Sequence, residues 1–241
     1  MIIAQISDIH AASDNDNLSR LDRALHWLDQ LKPDALVISG DLIDDNWLAG
    51  YTHIAERLRT KSYPSYLLPG NSDSPDAMRR IFDNGHYAQA ACHFAVDAGN
   101  VRLIGLDTTL AGEAAGAVAP HLAWLRTALA AEPALPSILF LHHPVILSGI
   151  PSMDRIMCRD SMELAAFFEH ASARPVAIAT GHVHRPIMGM FAGIPVAICG
   201  AICPANPVWF GTEQVPEVND PPALMIHHLK QGELTSHHVS V

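Results

Sequence analysis

Residues 35 to 45 read ALVISGDLIDD, an apolar run followed at once by glycine and aspartate. A run that is apolar on both faces is typical of a strand buried between two layers. The glycine allows a sharp turn, so that Asp41 is displayed at the carboxyl end of the strand. Whether this carboxylate belongs to a site depends on how the other strands of the chain end.

Four further apolar runs end in side chains that can bind metals. IIAQIS is followed by Asp8 and His10, YLLP by Asn71, SILFL by His142, and VAIAT by His182 and His184. Ligand sites of open α/β sheets form beyond the carboxyl ends of the strands, so we expect these side chains to converge. In an extended chain, residues i and i+2 project to the same side about 6 to 7 Å apart, which suits the Asp-x-His and His-x-His pairs.

The converging donors are too many for one catalytic ion with an open position, and they suit two ions. They are Asp8, His10, Asp41, Asn71, His142, His182 and His184. If Asp41 bridges, one ion takes Asp8, His10 and His184, and the other takes Asn71, His142 and His182. Imidazole and carboxylate donors without thiolate indicate manganese, iron, zinc or cobalt rather than calcium. The residues leave the choice among these metals open.

Helical patterns alternate with the apolar runs along the chain. Apolar residues spaced by three and four predict helices over residues 18 to 31 and 47 to 58. Ser74 before a proline predicts the start of a third helix, and Asp160 with Glu163 resembles a capping box for a fourth. The alternation predicts an α/β architecture in which helices cover sheets.

The composition predicts one soluble domain over residues 1–241, since 49% of the residues are apolar and 17% are charged. The net charge of −10 and the lack of a long Lys/Arg cluster argue against binding to duplex nucleic acid. The four cysteines lack the spacing of a disulfide scaffold and are predicted to be reduced and mostly buried. No run reaches about 18 apolar residues and no basic leader precedes the first strand, so we expect no membrane association and a cytoplasmic location.

The least regular region is 203–222, CPANPVWFGTEQVPEVNDPP, which we predict to be an irregular loop near the active site or at a subunit interface. Trp209 and Phe210 within it either stack on a base or aryl group or pack an interface, and both interpretations stay open. Arg185 either meets a substrate phosphate or pairs with a surface carboxylate.

The ordered set DIH, GDLIDD, GNSD, LHHP and GHVH resembles the calcineurin-like metallophosphoesterase family over residues 1 to about 200. The HHP and GHVHRP elements are most similar to the bacterial branch with class III cyclic-nucleotide phosphodiesterases and glycerophosphodiesterases. The resemblance implies a four-layer α-β-β-α sandwich of two mixed sheets flanked by helices, with a dinuclear centre at one edge. It also implies that the seven donors are metal ligands. The catalytic candidates are Asp41 and Asn71 among these ligands, Ser72 at the position where the family usually has a histidine, and His143 as a substitute acid.

The function implied by the resemblance is hydrolysis of small phosphodiesters, such as cyclic nucleotides, glycerophosphodiesters or aryl diesters. The implied cofactors are two divalent or trivalent transition-metal ions, and the implied reaction is in-line attack of a metal-bridging hydroxide. The partner would be a small phosphate ester, and a homo-oligomer, dimer or larger, is expected by analogy alone. The alternatives are a phosphomonoesterase or nuclease of the same family, or a metal-free protein-binding scaffold, which the complete ligand set disfavours.

Ser72 departs from the family pattern, in which a histidine that assists the leaving oxygen usually occupies this position. A hydroxyl donates a hydrogen bond but is a very weak acid near neutral pH. We therefore predict ready cleavage of aryl esters and slow cleavage of alkyl diesters. The first candidate for a substitute acid is His143, and the second is His86.

The other histidines and acids are predicted to be structural or solvated. Those in helical patterns are expected in solvent: His26, His53, His121 and His170. The pairs near the end are expected on the surface of an edge hairpin: His227, His228, His237 and His238. Asp44 and Asp45 are predicted to be loop or helix-start acids, with a role outside the metal ligands left open. Asp73 either orients the Asn71 turn or a ligand, or has no such role.

Overall fold

The computed structural model describes residues 1–82, 85–87, 91–211, 215 and 217–241. The strands within these residues are β1 (Ile2–Ile6), β2 (Ala35–Ser39), β3 (Ser65–Leu68), β4 (Phe94–Ala98), β5 (Val101–Leu106), β6 (Ser137–Leu141), β7 (Ala177–Thr180), β8 (Ile187–Phe191), β9 (Ile194–Ile198), β10 (Ala223–Lys230) and β11 (Glu233–Ser240). The helices are α1 (Asn17–Leu31), α2 (Ala49–Arg59), α3 (Pro75–Phe82), α4 (Leu122–Ala130), α5 (Pro151–Asp154) and α6 (Ser161–His170), with a short 3-10 helix at Ala119–His121.

The strands form two mixed sheets. The first sheet has the order β11-β10-β1-β2-β3, and the second has the order β4-β5-β6-β7-β9-β8. The central strands β1, β2 and β3 run parallel, as do β5, β6, β7 and β9. Antiparallel strands flank each parallel set. Parallel neighbours bring their carboxyl ends to the same edge, which is where the polar motifs begin.

Three apolar clusters between these elements define four layers. One cluster packs α1, α2 and α3 on the outer face of the first sheet, and another packs α4 and α6 on the outer face of the second. The third lies between the sheets, where Ile3 and Val37 of the first meet Phe140 and Ile138 of the second. The predicted α-β-β-α sandwich is therefore confirmed.

The apolar runs of the sequence correspond to strands, and the hairpin at the end of the chain is also present. The strands that the sequence did not predict are β4 and β8, which lie at the two edges of the second sheet. Edge strands are only partly covered, so β4 and β8 lack the continuous apolar run of a central strand.

The helix at residues 18 to 31 is present as α1, and Ser74 begins α3 by accepting a hydrogen bond from the Ala77 amide at 3.4 Å. The capping box predicted at Asp160 is wrong, although α6 does begin after it. The Asp160 carboxylate instead accepts hydrogen bonds from the Val118 and Ala119 amides at 2.8 and 2.7 Å. It therefore caps the 3-10 helix, a partner that local sequence spacing does not reveal.

The predicted irregular loop has no helix or strand at residues 203–211, 215 and 217–222, and its residues 212–214 and 216 lie outside the described part of the chain. Within the described residues, no helix has both the length and the apolar character needed to cross a membrane. All four cysteines are buried and free, as predicted.

Candidate metal centre

The structure brings all seven predicted donors together beyond the carboxyl ends of strands from both sheets. Asp8 and His10 follow β1, Asp41 follows β2, Asn71 lies in the turn after β3, His142 follows β6, and His182 and His184 follow β7. The turns after β1 and β2 are hydrogen-bonded to each other, since the Asp8 amide donates to the Gly40 carbonyl at 3.0 Å and the His10 amide to the Asp41 carbonyl at 2.9 Å.

The backbone at this edge is held in an unfavourable conformation. Residues with a left-handed φ are Asp8 (56°), His10 (49°), Asp41 (52°), His182 (71°) and His184 (56°). Such conformations cost about 1 to 3 kcal/mol each for residues with a side chain, and they cluster at functional sites. The strain is consistent with a site whose geometry is imposed by its surroundings.

One group of donors surrounds one side of Asp41. The His10 Nε2 lies 3.3 Å from the Asp41 Oδ2 and 3.1 Å from the His184 Nε2. The His184 Nε2 is in turn 3.5 Å from the Asp8 Oδ1. Ligand atoms of these four residues all lie within 4.8 Å of one another. Two imidazoles and two carboxylates at this separation suit one transition-metal ion.

A second group surrounds His142 on the other side of the same carboxylate. The His142 Nε2 lies 3.3 Å from the Asp41 Oδ2, 3.3 Å from the Asn71 Oδ1 and 3.1 Å from the His182 Nδ1. The other ring nitrogen, Nδ1, lies 2.7 Å from the Ser39 carbonyl and therefore donates to it. In neutral His142 the lone pair on Nε2 then faces two oxygen acceptors, an arrangement that a cation among them would stabilise. The donor set therefore fits a second metal ion.

The charges of the cluster also favour a cation. Burial lowers the pKa of His10 and of His142, but the neighbouring carboxylates, Asp41 first and then Asp8, act against it, and the pKa of each is raised to about 9. Burial raises the pKa of Asp41, yet His142 and His10 hold it well below its usual range. Burial and the neighbouring His142 lower the pKa of His182 to about 3, so this imidazole stays neutral. The protons on His10 and His142 are those that a bound metal would displace.

Comparison with known proteins assigns the family. Residues 1–186 match the model of the family described as calcineurin-like phosphoesterase. The chain belongs to the calcineurin-like phosphoesterase family. The resemblance inferred from the ordered motifs is thereby confirmed.

Named relatives align with most of the chain. It is 28% identical to a probable glycerophosphodiester phosphodiesterase, GpdQ, from Arcobacter nitrofigilis, over 98% of this chain and 92% of that protein. It is 30% identical to a cAMP/cGMP dual specificity phosphodiesterase from Mycobacterium tuberculosis, over 84% of this chain and 67% of that protein. A dimetal phosphatase from Danio rerio has the same fold, with a TM-score of 0.77 at 13% identity over 100% of this chain and 96% of that one.

Ser72, where the family usually has histidine, is bound to the shared carboxylate. Its hydroxyl and its backbone amide both donate to the Asp41 Oδ1 at 2.8 Å. His143 is buried, and its Nδ1 and Nε2 lie 2.8 Å from the Thr108 hydroxyl and 3.2 Å from the Ala114 carbonyl. Both ring nitrogens of His143 are therefore occupied by protein groups. His86 is exposed and packs edge-on against Tyr66.

Asp73 orients the turn that carries Asn71. Its carboxylate accepts hydrogen bonds from the Gly70 and Leu42 amides at 2.9 and 3.1 Å, and from the Tyr51 hydroxyl at 3.0 Å. These bonds join the turns after β2 and β3, which carry Asp41 and Asn71. Of the two interpretations left open by the sequence, the orienting role fits this geometry.

Two residues near the first donor group have contacts that the sequence did not specify. The Cys203 Sγ lies 3.3 Å from the His184 Nδ1, the nitrogen that faces away from Asp8. The Asp44 Oδ2 lies 3.6 Å from the His10 Nδ1. Groups that hold the outer nitrogen of a ligating histidine fix its orientation. The sequence signal available for Cys203 was its place just after an apolar run, a position that it shares with the seven donors.

The remaining polar residues divide between surface and interior. Arg185 pairs with the Asp220 carboxylate and also donates to the Asn206 carbonyl.

His26, His53 and His170 are exposed as predicted, whereas His121 is half-buried. The surface prediction is wrong for His227, which is fully buried. β10 lies between β1 and β11, so it is an interior strand of the first sheet rather than an edge.

Proposed function

We propose that this protein is a phosphodiesterase that hydrolyses small phosphodiesters with two metal ions, and that Asp41 bridges them. One observation carries the proposal: the Asp41 Oδ2 lies 3.3 Å from the His10 Nε2 and 3.3 Å from the His142 Nε2. One carboxylate oxygen thus faces both donor groups. A shared carboxylate between two imidazole-rich groups suits a dinuclear hydrolytic centre.

The residues that would hold the ions are assigned by these contacts. Asp8, His10 and His184 would hold one ion and Asn71, His142 and His182 the other, with Asp41 common to both. When bound, the pair would neutralise phosphate charge and lower the pKa of the water that attacks phosphorus in line. The chain's own contribution is to fix the donors: the Ser39 carbonyl sets the His142 tautomer, and the His182 amide donates to the Asp8 carboxylate at 3.0 and 3.1 Å. The donor set fits manganese, iron, zinc or cobalt.

Diester cleavage is proposed over monoester cleavage because relatives aligned over most of the chain are named as diesterases. The GpdQ relative from Arcobacter nitrofigilis aligns with 98% of the chain. A 3′,5′-cyclic-nucleotide phosphodiesterase from Nostoc is 30% identical over 76% of it. A cytoplasmic location, a homo-oligomeric assembly and catalytic roles for Ser72 and His143 stay proposals of the sequence.

The test is a substrate panel with protein loaded separately with manganese, zinc or cobalt. Bis(4-nitrophenyl) phosphate, 4-nitrophenyl phosphate, cyclic nucleotides and glycerophosphodiesters are compared by kcat/KM. We expect diesters to exceed the monoester by at least about tenfold, a difference of about 1.4 kcal/mol in transition-state stabilisation. A preference for the monoester would replace the proposal by a phosphomonoesterase. Inactivity with every metal, together with no metal retention, would favour the scaffold alternative.

A further inference from the structure

A polar cavity of about 410 Å³ adjoins the candidate metal centre and contains one histidine outside the donor set. Asn71 and His121 both line it. His121 is half-buried at the end of the 3-10 helix that precedes α4. Because Asn71 is a proposed metal donor, a phosphate held by the ions would place one of its ester groups within reach of this cavity.

Hydrogen bonds fix which nitrogen of His121 carries a proton. The backbone amide of Asp107 donates to the His93 Nδ1 at 2.9 Å, so neutral His93 carries its proton on Nε2. That Nε2 lies 3.1 Å from the His121 Nδ1 and donates to it. Neutral His121 therefore carries its own proton on Nε2. Among the described residues, no partner accepts a hydrogen bond from the His121 Nε2.

Both imidazoles stay neutral around neutral pH. Burial and the adjacent His121 lower the pKa of His93 to about 4, and burial lowers the pKa of His121. Trp124 stacks on His93 with ring centroids 4.6 Å apart, which fixes the pair in place. The Nε2–H of His121 is therefore a donor in a fixed position at the wall of the cavity.

Two other candidates near the donor set, Ser72 and His143, have hydrogen-bond partners within the protein. The Ser72 hydroxyl donates to Asp41, and both ring nitrogens of His143 have protein partners. His121 is the remaining imidazole with an available N–H among the described lining residues of this cavity.

The charges around the cavity indicate the kind of group it takes. Asp73, Asp76 and Asp107 line it, whereas Arg79 is a lining cation whose guanidinium is paired with the Asp76 carboxylate at 2.6 Å. A second anionic group would meet repulsion from these carboxylates. An uncharged group with an oxygen acceptor would meet the His121 N–H instead.

We propose that His121 is a specificity-determining residue, whose Nε2–H donates a hydrogen bond to an oxygen atom of the uncharged organic group of the ester. The inference rests on the proposed function, because it takes the ions and Asn71 as the site of the phosphate. The reaction at phosphorus itself is unchanged.

The experiment uses zinc-loaded protein and three monoalkyl phosphates of matched length: 2-methoxyethyl, butyl and 2-carboxyethyl phosphate. Dissociation constants are measured by isothermal titration calorimetry. We expect the methoxyethyl ester to bind about fivefold more tightly than the butyl ester, as for one net hydrogen bond, and the carboxyethyl ester to bind more weakly than either. Equal binding of the methoxyethyl and butyl esters would overturn the proposal.

Variants assign the preference to a residue. In His121→Phe the dissociation constants of the methoxyethyl and butyl esters should become about equal. In His121→Gln, which keeps an N–H donor, part of the preference for the methoxyethyl ester should remain. The exposed His26→Phe is the control and should keep the full preference. A loss of preference in His86→Phe with retention in His121→Phe would move the role to His86 and overturn the proposal.

A measurement on the unaltered protein keeps the proposal testable if His121→Phe does not fold. Nitrogen NMR of the zinc-loaded protein should show the Nε2–H tautomer of His121. Its Nε2–H resonance should shift on addition of the methoxyethyl ester and stay in place with the butyl ester. The opposite tautomer would contradict the inference. Hydrolysis of bis(4-nitrophenyl) phosphate tests the proposed function separately, so the two can fail independently.

Discussion

Ser72 faces the shared carboxylate rather than offering an acid to a leaving group. Its hydroxyl and amide both donate to the Asp41 Oδ1 at 2.8 Å. These bonds help to fix the Asp41 carboxylate, but a hydroxyl cannot protonate an alkoxide efficiently near neutral pH. A nitrophenolate leaves without such help, whereas an alkoxide does not.

Substitution of Ser72→His should restore an acid at this position. We expect kcat/KM for diethyl phosphate to rise by about 100-fold, since general acid catalysis is typically worth that much or more, with little change for bis(4-nitrophenyl) phosphate. Ser72→Asn, which is polar but does not titrate, is the matched control. Product formation is followed by phosphorus NMR for the alkyl ester. If the histidine variant gains nothing on the alkyl ester, Ser72 does not mark a missing acid.

At the residue scale, the sequence predicted those site members that follow apolar runs. Asp8, Asp41 and His142 were expected to lie together because each follows a strand, and the structure places them together. His93 and His121 could not be found, because their pairing depends on contacts between segments 28 residues apart. Cys203 was classed only as a buried thiol, since nothing local specifies that it meets His184.

At the scale of single elements, β10 carries His227 into the interior of the first sheet. The His227 Nε2 lies 3.1 Å from the Gln5 Oε1, and its Nδ1 lies 2.8 Å from the Ser236 hydroxyl. Gln5 also donates to the Ser39 hydroxyl at 2.8 Å and to the Thr180 carbonyl at 3.1 Å, which links β10 to strands of both sheets. The place of His227 near the end of the chain suggested the surface of an edge hairpin, because the sequence does not show that a hydrogen-bond network satisfies a buried imidazole.

Burial of His227 predicts a pH dependence of stability. Burial lowers its pKa to about 4 from an ordinary value of 6.5. Between pH 6.5 and 4 the unfolded chain binds a proton that the folded protein does not, so the free energy of unfolding should fall as the pH falls through this window. The contribution is at most roughly 3 kcal/mol. Urea unfolding at several pH values measures it.

His227→Gln removes the titrating group but keeps hydrogen-bonding capacity, so its stability should fall less over the same pH window. His228→Gln is the control, because His228 is the half-exposed neighbour on the same strand. Identical pH slopes for the unaltered protein and for His227→Gln would show that His227 is not buried as a neutral imidazole.

The turn after β3 requires glycine for close approach to the donors. A Cβ built on Gly70 would lie 2.2 Å from the Asp41 Oδ1 and 2.5 Å from the Asp41 amide nitrogen. Gly70→Ala should therefore displace the shared carboxylate and weaken metal binding by about 10 to 100-fold, as for loss of a group that positions a ligand. Competition with a zinc chelator measures the change.

The control for Gly70 is Gly232→Ala in the last hairpin, where a Cβ would meet nothing within 4 Å. Its φ of +83° makes alanine unfavourable there, so both variants carry a stability cost but only one should affect the metal. Equal zinc affinities for the two variants would contradict the assignment of Asp41 as the shared ligand.

At the scale of the whole molecule, the donors come from two separate sheets. The sheets are held together by apolar and polar contacts rather than by a shared strand. Bound ions would therefore stabilise the folded protein, because an unfolded chain does not preserve the site. With zinc at about 100 times its dissociation constant, the gain is about 2.7 kcal/mol, which corresponds to roughly 5 to 10 °C in Tm for a domain of this size. Scanning calorimetry with and without the metal measures it.

Asp41→Asn should lose more than half of this metal-induced rise in Tm, because it changes a ligand of both ions. Asp29→Asn, at a surface ion pair with Lys61, should keep the full rise. The comparison uses the difference between metal-loaded and metal-free protein for each variant, which removes the effect of either substitution on the metal-free fold. An unchanged rise in Asp41→Asn would contradict the bridging role.

The pairing of β1 with β10 has a consequence for biosynthesis. β1 is synthesised long before one of its two neighbours, residues Ala223–Lys230. Translation proceeds at about 5 to 20 residues per second, so the nascent chain waits on the order of ten seconds or more with one side of β1 open. Asp8 and His10 follow that strand directly. We therefore expect metal loading to follow the synthesis of β10, and chaperones to matter most during the interval before it.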